Sequence, residues 1–134
     1  MIYAVIDTNI FVSAFYSHNP NSATTRVVDA LARGQIIILY NDEIMAEYED
    51  VLSRPHIHIS PFERTSLLEY IRKKGVLTQR TTFHQLFIDE SDRVFYEVSL
   101  SKEDSFLVTG NLKHFPIEPR VVTPAQMLQI LGEE

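Results

Sequence analysis

The 134 residues suit one domain with a real core and are too few for two. Hydrophobic residues make up 45% and charged residues 22%, the balance of a soluble globular chain, with no apolar run long enough for a bilayer and no basic leader or cleavage-site pattern. The lack of cysteine excludes disulfides and thiolate metal sites and suits a reducing cytoplasm, and the net charge of -6 argues against a broad basic surface for duplex DNA.

In chain order, Met1 to Ile6 (MIYAVI) is a short apolar run, the pattern of a strand buried on both faces, and it stops at Asp7-Thr8-Asn9. A helical pattern follows over Phe11 to Tyr16, then a loop, His18-Asn19-Pro20-Asn21-Ser22, made of turn and cap residues. The next helix spans Ala23 to Ala32 with Val27, Val28 and Leu31 on one face, and Gly34 ends it. Ile36 to Tyr40 (IIILY) is a second buried strand. Asn41-Asp42 then caps a helix whose apolar face is Ile44, Met45, Tyr48, Val51 and Leu52.

Arg54-Pro55 breaks that helix. Ser60-Pro61-Phe62-Glu63 starts another with serine as N-cap, proline at N1 and glutamate at N3, and it ends at Gly75. A short strand is expected at Val76 to Thr78, a helix opening at Asp89 to Asp92 with Val94, Phe95 and Val98 inward, and a buried strand at Ser105 to Thr109 closed by Gly110-Asn111. Arg120 to Thr123 gives a last strand, and Pro124 a last helix with Met127, Leu128 and Leu131 inward. Strands alternating with helices predict an α/β chain, a mainly parallel sheet of about four to five strands covered on both faces as an α/β/α sandwich, forming one domain over residues 1–134.

In such a sheet, functional groups gather at the carboxyl edge of the strands. Asp7 stands at the end of one strand and Asn111 after another; Glu43, Glu47 and Asp50 share one side of a helix, and Asp89, Glu90 and Asp92 cluster at the start of a later one. Carboxylates brought together repel, so they protonate or bind a cation. Oxygen-only donors favour hard ions, Mg²⁺ or Mn²⁺, and carboxylate-held ions with open positions suit phosphodiester hydrolysis. The plainer reading of each acid is also consistent with the pattern: Asp7 as a helix cap, Asp89 and Asp92 as cap and N3 residues, the acidic helix face as simply solvated.

Four stretches in this order, MIYAVIDTNIFVSAF, AEYEDVLSRP, DESDRVFYEV and FLVTGNLKHFP, closely resemble the PIN-domain family, nearest to the bacterial branch described as toxins of type II toxin-antitoxin systems. The resemblance covers nearly the whole chain. It implies a metal-dependent endoribonuclease with an α/β/α sandwich, usually a homodimer, acting on single-stranded RNA. It implies Asp7, Glu47 and Asp92 as the catalytic acids and, together with Asn111, as ligands of Mg²⁺ or Mn²⁺. Without it, spacing does not single Glu47 out from Glu43, Glu49 and Asp50.

The fourth family position, often aspartate, is Asn111 here, an oxygen donor without charge. Asp104 is a poor replacement, since it precedes the strand and lies at its opposite end. Thr8 is expected to orient Asp7, with Asn9, Asp89 (as the helix cap) and Thr109 in support, and Arg93 and Lys113 are candidate RNA contacts. Lys113 and His114 read either as phosphate contacts near the site or, more simply, as loop surface, and His18, His56, His58 and His84 have no ligand spacing. A small antitoxin inserting an arginine or lysine would suit the charge of -6. Two rivals stand beside this reading: a degenerate PIN domain that acts as a binding module, and a phosphatase using Asp7 as nucleophile, which wants a second aspartate where Asn9 stands. Phe62, Leu67, Leu68 and Ile71 are candidates either for a dimer surface or for the core.

Overall fold

The computed structural model describes residues 1–17 and 19–132, so His18 lies outside the described residues. The chain runs β1 (Ile2–Ile6), α1 (Thr8–Tyr16), α2 (Ala23–Ala32), β2 (Ile36–Tyr40), α3 (Asp42–Leu52), α4 (Pro61–Lys74), β3 (Val76–Leu77), α5 (Arg93–Leu100), β4 (Phe106–Val108), β5 (Val121–Val122) and α6 (Pro124–Ile130), with short 3₁₀ turns at Pro55–Ile57, Glu90–Asp92 and Leu112–His114. The five strands form one sheet in the order β3-β2-β1-β4-β5, and every pairing is parallel. Parallel neighbours need crossovers, and the intervening helices supply them. Ala4, Val5, Ile6, Ile38 and Leu39 are all buried, so helices cover both faces of the central strands, as an α/β/α sandwich requires. No helix among the described residues is long and apolar enough to cross a membrane.

Local chemistry explains most boundaries. Ser22 and Asn41 cap α2 and α3 by accepting from the amides of Thr25 and Ile44. Ser60 and Glu63 form a full capping box around Pro61, and Thr123 and Gln126 form another around Pro124. Gly75 ends α4 where the chain passes tightly over β2: a Cβ there would lie 2.6 Å from the Ile71 carbonyl oxygen and 2.9 Å from Ile38. Only glycine lets α4 turn into β3 at that separation.

Three expectations about element bounds change, and one open alternative resolves. The first helix begins at Thr8, directly after the strand, three residues before the apolar pattern at Phe11 starts. The expected helix opening at Asp89 to Asp92 is a 3₁₀ turn, and the α-helix proper starts at Arg93. Leu68 and Ile71 are core residues, whereas Phe62 is 81% exposed and Leu67 half-buried. β3, β4 and β5 are each shorter than the stretches that predict them, although the amides of Thr78 and Thr109 still donate to the carbonyls of Tyr40 and Val122 at 2.7 and 2.9 Å.

The strand order has one consequence for function. The chain adds β2 and β3 on one side of β1, then crosses to add β4 and β5 on the other. The carboxyl ends of β1 and β4 therefore flank the point where the winding direction reverses, the place where open α/β sheets leave a crevice.

Candidate active site

The register pairs Ile6 with Val108, so the next residues, Asp7 and Thr109, emerge side by side. The Asp7 amide donates to the Val108 carbonyl at 2.9 Å, extending the ladder by one bond. The Thr109 hydroxyl donates to Asp7 Oδ2 at 2.8 Å and itself accepts the Asn111 amide at 3.0 Å. Asp7 is 5% exposed. It occupies the N-cap position of α1, but its side chain makes no cap hydrogen bond. The simple helix-cap reading of Asp7 is thus corrected: its carboxylate is held by the Thr109 hydroxyl, and the nearby Thr8 amide only adds to the stabilisation of its charge.

Glu47 comes from α3. Tyr48 beside it is fully buried and donates its phenol to the Ile6 carbonyl, which fixes α3 against the end of β1. The Thr8 hydroxyl donates to Glu47 Oε2. The expected partner of Thr8 was Asp7; the hydroxyl instead serves Glu47, because Thr8 is already the first residue of α1 and faces α3. Of the other acids on that helix, Glu43 is bound to Arg80 at 2.8 Å and Asp50 to Arg54 at 2.8 Å. Asp7, Thr8, Asn9, Glu47, Asp89, Asp92 and Asn111 all line one cleft of about 320 Å³.

Asp89 accepts from the Ser91 amide at 3.0 Å and so caps the 3₁₀ turn, leaving Asp92 one turn further on to face the cleft. Asp92 Oδ2 lies 3.1 Å from His114 Nδ1. The sequence offers His114 only as a phosphate contact or loop surface, and its contact with Asp92 is new. Only the 3₁₀ turn after Asn111 carries its ring to Asp92. Arg54 and Ser91 also line the cleft; the quoted AEYEDVLSRP stretch contains Arg54, but nothing in its spacing marks it as a cleft residue.

Neither candidate RNA contact lines this cleft, and Arg93 is turned into the protein. Its guanidinium donates to the carbonyls of Phe83 at 2.6 Å and Gln85 at 2.8 Å, bonds Glu90, and lies over the Phe87 ring. It braces the segment before Asp89, so its donors are spent inside the protein. Lys113 is the exposed member of the pair and has no ion pair among the described residues.

The electrostatics follow from crowding and burial. Burial raises the Asp7 carboxyl from 3.8 to about 6, against the Thr109 bond that lowers it, with Asp92 adding repulsion. Glu47 and Asp92 are also raised, first by burial, and then by neighbouring acids against the hydrogen bonds from Thr8 and His114. Asp89 moves the other way, lowered by its two bonds from Ser91. Three half-buried or buried carboxylates, each raised by another of the three, make a site that gains from a cation.

Among the described residues, no three acidic or histidine side chains stand close enough to hold an ion directly. The donor set still fits Mg²⁺ or Mn²⁺, which are held by one or two carboxylates with waters completing the shell. Each of Asp7, Glu47 and Asp92 has one carboxylate oxygen engaged by Thr109, Thr8 or His114. That leaves the other oxygen of each for a ligand.

A family model described as PIN domain matches residues 3–113, a span that includes every residue of the cleft except His114. A search among curated proteins finds no match.

Proposed function

Because the chain belongs to the PIN-domain family, whose fold is that of nucleases, we propose that it is a Mg²⁺- or Mn²⁺-dependent endoribonuclease acting on single-stranded RNA. The observation that carries the proposal is the convergence of Asp7, Glu47 and Asp92, from three separate segments, on one cleft at the switch point between β1 and β4. Asp7, Glu47 and Asp92 are the residues that would hold the ion, with Asn111 as a neutral fourth donor. When bound, the ion supplies Lewis acidity and positive charge beside the scissile phosphate.

The chain's own groups do the rest. Thr109 holds the Asp7 carboxylate, Thr8 that of Glu47, and His114 that of Asp92, so that all three present fixed oxygens to the cleft. Asn9 and Asp89 complete its wall, and Lys113 meets a phosphate of the strand. A water that gives its proton to a carboxylate of the cleft attacks phosphorus in line, the P–O3′ bond breaks, O3′ takes a proton from solvent, and the products carry a 5′-phosphate and a 3′-hydroxyl. Incubating RNA with the protein and Mn²⁺, beside Asp7→Asn and Asp92→Asn, tests the reading. Loss of cleavage in both variants is expected; equal cleavage by all three proteins would move the activity elsewhere.

As a biological role we place the protein as the toxin of a toxin-antitoxin pair, acting as a homodimer. The excess of carboxylates in the cleft suits an antitoxin that inserts an arginine or lysine. The neighbouring reading frame and co-purification of its product test this.

A second reading, a PIN domain acting only by binding, is favoured by the uncharged Asn111 and by the wide spacing of the acids. Calorimetric titration separates the two. Heat of binding with millimolar Mg²⁺ or Mn²⁺ supports the enzyme, and its absence supports the binding module.

A further inference from the structure

Two of the segments that build the acidic cleft also build a second, partly apolar one beside it. The stretch leading into Asp89 carries Phe83, Leu86, Phe87 and Ile88; the turn that follows Asn111 carries Lys113 and His114. Together they line a cleft of about 190 Å³. His114 belongs to both clefts, with its Nδ1 on Asp92. The floor is rigid. Phe83 packs edge-on against Phe87 and Tyr96, and Phe87 against Phe115, with ring centroids between 4.9 and 6.1 Å. Arg93 lies over Phe87 and ties down the Phe83 and Gln85 carbonyls. Above this floor Leu86 is 95% and Ile88 76% exposed. Large aliphatic side chains held in water on a braced segment, next to a candidate catalytic cleft, mark a contact surface.

We propose that this partly apolar cleft is a nucleobase subsite, taking one unpaired base of the strand whose phosphate lies in the acidic cleft. The inference rests on the nuclease reading above. Its occupant is argued from continuity and charge. His114 joins the two clefts, and the exposed ammonium of Lys113 stands on the same wall, so a backbone leaving the acids meets a cation and a partly apolar hollow together. A base has an apolar face for Leu86, Ile88 and the ring edges, and a polar edge for the Gln85 amide at the rim. Bases inside a duplex are stacked on both faces and cannot enter, so the subsite selects single strands. It would also make base identity matter at one position next to the cut.

The test is a binding measurement that does not depend on cleavage. In the Asp7→Asn background, anisotropy compares a labelled mixed-sequence single-stranded RNA with an abasic ribose-phosphate oligomer of the same length. The parent is expected to bind the RNA about tenfold tighter than the abasic oligomer. Leu86→Ser with Ile88→Ser should bind both at the abasic level, while Lys113→Ala should weaken both alike. Leu86 and Ile88 are outside the core, and circular dichroism confirms that the double variant is folded. A double variant that still discriminates, or a parent that never does, overturns the subsite. A double variant that instead loses a dimer in sedimentation, with RNA binding unchanged, assigns the patch to a second copy and equally overturns it. Wild-type cleavage without base discrimination sinks the subsite alone; base discrimination without cleavage keeps the subsite and sinks the nuclease reading; neither cleavage nor binding sinks both.

Discussion

The Thr109 hydroxyl donates to Asp7 Oδ2 at 2.8 Å, joining the ends of two adjacent strands whose residues are 102 apart in sequence. That bond holds the ionised form of a carboxylate which burial otherwise disfavours. A hydrogen bond to a charged group is worth about 1.5–3 kcal/mol. Thr109→Val should therefore raise the Asp7 pKa above about 6 and lower cleavage at neutral pH by roughly tenfold or more. Thr109→Ser, which keeps the hydroxyl, should restore most of it. A pH–rate profile checks this: the acidic limb should move upward in the valine variant and return in the serine variant.

Asp7 itself should weaken the metal-free fold. Its carboxyl ionises near 3.8 when unfolded and at about 6 when folded, so the folded state holds a proton that the unfolded state has released between those values. Stability then falls as pH rises through that window and stays lower above it, by about 3 kcal/mol at most. Asp7→Asn keeps an acceptor for Thr109 and carries no charge. It should raise the melting temperature of the metal-free protein at neutral pH, and the gain should vanish below about pH 4. Added Mg²⁺ should stabilise wild type and leave the variant unmoved. Thermal melts at several pH values, with and without the ion, measure all three effects.

His114 is placed to orient Asp92 through Nδ1. Partners of this kind typically change metal affinity by roughly 10–100-fold when removed. His114→Ala should weaken Mn²⁺ binding within that range while leaving the fold intact, since the ring is partly exposed. Calorimetric titration gives the affinity, and an unchanged value would mean that the contact with Asp92 carries no function.

Asn111 lines the cleft and contributes no charge. Asn111→Asp adds a carboxylate to a site that already holds three raised ones. Divalent binding should tighten by about tenfold or gain a second ion per chain, and the metal-free protein should melt earlier through added repulsion. Stoichiometry from calorimetry decides between the two gains; no change in either affinity or stoichiometry would remove Asn111 from the ligand set.

Much of the fold was legible because its determinants are local. The runs Ile2–Ile6 and Ile36–Tyr40 are apolar without interruption, which identifies strands covered on both faces. Ser60-Pro61-Phe62-Glu63 and Asn41 mark helix starts by hydrogen bonds that span three residues. Leu68 and Ile71 were ambiguous, since a helix with a weak apolar stripe does not say which side meets the sheet. The start of α1 was missed for a related reason: Thr8 and Asn9 are poor helix formers, and contact with α3 overrides that preference.

The site divides the same way. From the chain alone, Asp7 is fixed at a strand end, Asp89 as a cap and Asp92 a turn later, because each depends on the few residues around it. The partners were decided only in three dimensions. Parallel register sets Thr109 beside Asp7, the Tyr48 bond to the Ile6 carbonyl docks Glu47 onto Thr8, and a turn after β4 carries His114 to Asp92. Arg93, which looked free, is consumed by carbonyls of a segment some eight to ten residues away. Sequence reports what a residue can do with its neighbours along the chain; which oxygen meets which donor across the sheet is set by strand order and packing, and those belong to the fold as a whole.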